Sequence, residues 1–172
     1  MKIVVFMLLF VAALFADRDG GPYIGIGYGS ATLKDKGYYG LDKESAGGLK
    51  LYGGAFINKY LSVGVEYNGD LKFTKQNREF SPNLMDVYTQ AHYPFYDDMF
   101  DIYAKFGVGE VHYNYKGFTM VYGIGASWRM SGMFALRIGY DFYDFGIDEN
   151  LDDSKDRGIY VGYGFGAIEV QF

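Results

Sequence analysis

Cysteine is absent from the 172 residues, and proline occurs only three times, tryptophan once and histidine twice. Without cysteine there is no disulfide, no thiolate metal site and no lipid attached through an N-terminal Cys, so an exported chain needs another source of stability. Long apolar runs are scarce too. Beyond residue 16 no stretch approaches the roughly 20 apolar residues of a membrane-spanning helix, and none carries an apolar stripe at helical spacing. Nor is there an excess of basic charge. The formal net charge is −5, and one unit more negative without Lys2, which argues against a general electrostatic affinity for nucleic acid. The length is one domain's worth of chain, with no visible linker.

The only uninterrupted apolar run is N-terminal. Lys2 supplies a positive charge, Ile3 to Phe15 carry none, and Ala16 precedes Asp17-Arg18-Asp19, the pattern of a secretory signal peptide cut after Ala16. The expected organisation is therefore a signal peptide at 1–16 and one domain at 17–172. That domain is rich in Gly, Tyr and Phe, 25, 18 and 15 in the whole chain. Such a composition is poor for helices and wrong for disorder, but it suits strands with one small face and one large face.

Period-two alternation recurs along the chain and predicts eight strands: 23–33, 48–58, 60–71, 84–93, 100–113, 118–129, 134–145 and 158–172. The connections after the second, fourth and sixth are short (Asn58-Lys59, Pro94 to Met99, Ser131-Gly132). Longer charged loops are expected at 34–45, 72–83 and 146–157, while Tyr113 to Gly117 is short. An even number of strands, with short turns at one end and long loops at the other, is the layout of an all-β, eight-stranded antiparallel up-and-down barrel of the bacterial outer membrane.

Alternation alone does not say which face is inside, because a soluble lipocalin-like barrel has the same period with its apolar face inward. Three features favour the membrane arrangement. The polar faces are full of Gly, Ser and Ala, as a narrow lumen filled by its own side chains requires. Their charges have both signs, Glu66, Asp101, Asp141 and Glu169 against Lys50, Lys105 and Arg137, and so can pair in a closed interior. The aromatics Tyr60, Tyr93 and Trp128 lie beside the short turns, where an interfacial girdle belongs. The terminal IEVQF then reads as the closing strand, with Ile168, Val170 and Phe172 toward lipid and Glu169 and Gln171 toward the lumen. Carried backwards, the same alternation sends Tyr163 and Phe165 into the lumen, unless a bulge near Gly164 to Ala167 reverses it.

These residues resemble the small eight-stranded outer-membrane barrels typified by the OmpA transmembrane domain and OmpX. The resemblance rests on GGAFINKYLSVGVEY (Gly53 to Tyr67), YPFYDDMFDIYAKFG (Tyr93 to Gly107), GIGASWRMSGMFALRIGYD (Gly123 to Asp141) and the terminal Phe172. It implies a multi-pass location in the outer membrane, contact with lipid and lipopolysaccharide, and a C-terminal signal at Ile168, Val170 and Phe172 read by the barrel-assembly machinery. It also implies a lumenal meeting of Glu66 with Arg137, with Lys105 as a basic neighbour. The sequence departs from the family where a second lumenal Lys falls at Gln90 and a second Glu at Ser127. No peptidoglycan-binding domain is expected.

Other motifs weigh little. Asp148, Asn150 and Asp152 match the first ligands of a calcium loop, but Asp153 and Ile159 replace its Gly and closing Glu, so no metal site is expected. GIGYG and GYGFG open no helix, and read as strand packing. His92 and His112 have no Ser two residues away, so a deacylase-like site is not visible, and neither an enzyme nor a cofactor is expected. The expected role is structural or surface-interactive: envelope integrity, with adhesion through the loops at 34–45, 72–83 and 146–157. A narrow pore for small solutes or ions is the alternative.

Overall fold

The computed structural model describes residues 20–35, 44–75, 78–112, 116–130, 133–145 and 159–172. Its strands are β1 (Pro22–Asp35), β2 (Ser45–Asn58), β3 (Leu61–Gly69), β4 (Phe73–Lys75), β5 (Arg78–Phe80), β6 (Asn83–Phe95), β7 (Phe100–His112), β8 (Lys116–Arg129), β9 (Phe134–Phe145) and β10 (Ile159–Gln171). All but β4 and β5 form a closed barrel of eight antiparallel strands. The ring closes where β10 pairs with β1, from Tyr23 opposite Gln171 to Asp35 opposite Ile159. Closure leaves the barrel no sheet edge, so each of its eight strands has a partner on each side, as lipid requires.

Side chains obey the two-residue period. Ile24, Ile26 and Tyr28 on β1 are 59%, 54% and 67% exposed, whereas Tyr52, Tyr103 and Tyr163 are sealed inside. The large apolar residues thus face outward, opposite to a lipocalin-like barrel. Inward rings fit because the neighbouring inward position is often glycine: a Cβ on Gly64 would lie 2.6 Å from the Tyr88 ring, and one on Gly125 would collide with Tyr103.

Four details differ from the sequence expectations. The register of β10 against both neighbours is continuous, so the bulge near Gly164 to Ala167 is not needed. Tyr163 and Phe165 do point inward, into the space that Gly29 and Gly139 leave. Second, β6 runs through Pro94 to Phe95, and the turn is Tyr96 to Met99. Pro94 is tolerated because the His92 amide already reaches Tyr60, the residue before β3 begins; the donor that proline lacks would have faced no strand. Tyr96, Asp97 and Asp98 all take left-handed φ, at 54°, 52° and 61°.

Third, the segment expected as a loop at 72–83 contains the small β4–β5 hairpin. Asp70, at a φ of 59°, turns the chain inward just before it, and Leu71 and Phe73 are fully buried in the barrel mouth. Fourth, the β2–β3 pairing shifts register between Phe56 and Asn58, so that Asn58 faces Leu61 across the turn Lys59–Tyr60. The proposed signal peptide, most of the loop at 34–45, the whole of 146–157 with its calcium-like pattern, and the Ser131-Gly132 turn lie outside the described residues.

Candidate functional site: the filled lumen

The lumen has three layers, each set by which residue types fall at inward positions. At the long-loop end it is apolar: Leu33, Leu84, Val121 and Val161 from four strands surround Leu71 and Phe73. In the middle it is charged. At the short-turn end Tyr23, Tyr52 and Phe56 pack together beside a polar cluster.

The middle layer gathers side chains from six strands. Lys50 Nζ binds Glu66 and stands 2.7 Å from Asp141 Oδ2. Lys105 Nζ lies 2.9 Å from Glu66, 3.3 Å from Asp141 and 3.4 Å from Asp86. Glu66 also accepts from Asn68 Nδ2 at 2.7 Å and from the Tyr143 hydroxyl at 2.8 Å. Arg137 pairs with Glu169, donates to Gln90 Oε1 at 2.8 Å and lies 4.3 Å from the Tyr103 ring centre. Lys50 sits 3.9 Å above the Phe165 ring. Every one of these charges is at least 96% buried, a state that opposite charges and hydrogen bonds make tolerable. The free space left among them is a cavity of about 10 Å³.

The expected Glu66–Arg137 contact is therefore corrected: the guanidinium takes Glu169 on the adjacent strand, and Glu66 is served by two lysines. The two departures from the family pattern have occupations. Gln90 accepts from Arg137, and Ser127 donates to Asp101 at 3.3 Å. Asp101 itself stands apart from the lysines, 2.7 Å from His92 Nδ1. Asp86 has no counterpart among the sequence expectations, although alternation through β6 puts Leu84, Asp86, Tyr88, Gln90 and His92 on one buried face.

His92 Nε2 is in turn 2.9 Å from Ser62 Oγ, so Ser62, His92 and Asp101 have the order of contacts of a hydrolytic triad, from residues 30 and 9 apart in sequence. The geometry still lacks what acyl transfer needs. Ser62 is fully buried opposite Phe56, whose ring packs on His92 at 5.0 Å, and neighbouring strand amides are used by the ladder rather than aimed at an oxyanion. The cluster serves as a polar staple across β3, β6, β7 and β8.

Outside, Tyr60, Tyr93 and Trp128 are exposed by 56%, 68% and 45%, and the last two belong to strand ends near the turns. Phe95, Phe100 and Trp128 stack in succession at 5.8 and 6.3 Å. Ile168 and Phe172 face outward, and the Phe172 amide bonds the Pro22 carbonyl at 2.9 Å.

The model of the outer membrane protein beta-barrel domain matches residues 3–165. The chain belongs to that outer-membrane barrel family. Its place is the bacterial outer membrane; in barrels of this kind an apolar band faces lipid and the short turns lie on the periplasmic side. Among solved structures it is similar to Neisserial surface protein A, at 16% identity and a TM-score of 0.65, covering 88% of this chain and 97% of that one. Ail, the attachment invasion locus protein of Yersinia pestis, is 17% identical with a TM-score of 0.60, over 90% of this chain and 99% of its own. OprG from Pseudomonas aeruginosa is 10% identical with a TM-score of 0.51, over 88% and 96%. At these identities the likeness is one of fold. No curated protein matches by sequence.

Proposed function

We propose that this chain is a closed structural barrel that stiffens the outer membrane and presents its loops to the surroundings, rather than a pore. One observation carries the reading: the lumen is filled in three layers, and its charged middle leaves about 10 Å³, roughly the space of one water molecule. Leu71 and Phe73 add an apolar stopper at the extracellular mouth. A catalytic role has no support in the sealed Ser62–His92–Asp101 cluster. The test is conductance of the refolded chain in planar bilayers. A flat trace is expected; reproducible unitary steps would favour the narrow-pore alternative.

The finer role concerns the loops at 34–45, 72–83 and 146–157. Ail is named for attachment and has been crystallised with the heparin analogue sucrose octasulfate. We extend adhesion to this chain on the shared fold alone, with a host or neighbouring-cell molecule as the partner. Cells displaying the chain should bind host surfaces better than cells displaying a version with those loops shortened; equal binding removes adhesion and leaves the envelope role. Lipopolysaccharide around the apolar face, and the barrel-assembly machinery at Ile168, Val170 and Phe172, complete the proposed partners. Deleting Phe172 should lower the assembled fraction, seen as loss of the heat-modifiable band in electrophoresis.

A further inference from the structure

Two ammonium groups and three carboxylates share the middle layer: Lys50 and Lys105 against Glu66, Asp86 and Asp141, all at most 4% exposed. With Arg137 neutralised by Glu169, the group is one negative charge in excess, in a space that water does not screen. The three carboxylates are not equally served. Glu66 receives both lysines, Asn68 and Tyr143. Asp141 Oδ2 receives both lysines, at 2.7 and 3.3 Å. Asp86 has only Lys105 at 3.4 Å and the Tyr143 oxygen at 3.4 Å; its Oδ1, like that of Asp141, makes no hydrogen bond.

The Tyr143 hydroxyl bears on which carboxyl holds a proton. It carries one hydrogen, and the 2.8 Å contact with Glu66 uses it. Its oxygen also accepts from Asn68 Nδ2 at 2.6 Å. Between Tyr143 and Asp86 Oδ2 there is then no hydrogen unless Asp86 supplies one. We propose that Asp86 is a proton-binding site: its carboxyl is the neutral acid at neutral pH and donates to the Tyr143 oxygen. The groups that face it are Glu66 and Asn68 from β3, Lys105 from β7, Tyr143 and Asp141 from β9, and Lys50 from β2. With that proton the layer is electrically balanced, and a continuous chain of hydrogen bonds runs from Asp86 through Tyr143 to Glu66. Its release leaves an uncompensated charge at the centre of the barrel.

The test is infrared spectroscopy of the refolded full chain in phosphatidylcholine vesicles. A carbonyl stretch of a protonated carboxylic acid, above the amide band, should be present at neutral pH, move in heavy water and vanish at alkaline pH. Labelling aspartate with carboxyl carbon-13 in the unmodified chain should shift it, which needs no variant to fold. Asp86→Asn should abolish the band and keep the heat-modifiable mobility, whereas Asp141→Asn should retain it. Absence of the band at neutral pH, insensitivity to labelled aspartate, or survival in Asp86→Asn would overturn the assignment.

Discussion

The middle and the extracellular end of the lumen are filled by opposite chemistries. In the middle, lysines and an arginine meet carboxylates while Ile138 and Phe106 face outward. At the loop end the pattern inverts: Leu33, Leu84 and Val111 point in, and their neighbours Lys34, Asn83 and Glu110 are exposed. The same strands carry both patterns without a break in alternation. The inversion marks where the strands leave lipid: below it hydrocarbon pulls apolar side chains outward, and above it water drives them inward. Leu71 and Phe73 fold back into the mouth because that part of the barrel has an apolar interior to complete, as a soluble domain would.

This comparison is open to breakage, and the sole tryptophan, Trp128 on the outer face, reports each test as an unfolding midpoint in urea. The largest effect is expected from Arg137→Ala, which strands Glu169 in the sealed middle layer and should cost about 4 kcal/mol. Replacing both partners, as Arg137→Met with Glu169→Met, should recover most of that loss. If the double variant is as unstable as the single one, pairing is not what the middle layer depends on. Leu71→Ala should cost about 3 kcal/mol by leaving a cavity in the loop-end layer, and a negligible loss would mean that the chain there does not pack.

Outward charges sharpen the boundary between the two regions. Ile138→Lys, in the lipid-facing band, should cost about 2 kcal/mol, while Lys34→Glu, above the inversion, should be close to neutral. Equal costs would put both positions on the same side of the membrane surface. The smallest of the losses belongs to the staple at the short-turn end: Ser127→Ala removes one donor from Asp101, which keeps His92, and should cost about 1 kcal/mol.

Much of this was legible in the sequence. Ile24, Ile26 and Tyr28 against Gly25, Gly27 and Gly29, or Leu136 to Phe142 against Arg137 to Tyr143, state which face a side chain takes, because the period is a property of a single strand. The Lys50–Glu66 contact was within reach as well. The β2–β3 hairpin alone puts Tyr52 opposite Glu66 and Lys50 two positions along, a diagonal that long side chains span. The stopper at Leu71 and Phe73 was not legible, since a charged stretch beside an apolar pair reads as a loop until the apolar chamber exists.

By itself, then, the sequence determined the eight strands of the barrel, the two faces of each, the closing role of IEVQF and, within the apolar band, the restriction of charge to the lumen. All of these follow from alternation and turn spacing along a continuous chain. Only the tertiary structure decided which charges meet. Arg137 finds Glu169 rather than Glu66, Lys105 reaches three carboxylates, and Ser62, His92 and Asp101 converge from three strands. The physical reason is that cross-lumen partners depend on the stagger of the whole closed ring, to which every strand contributes and which no single segment encodes.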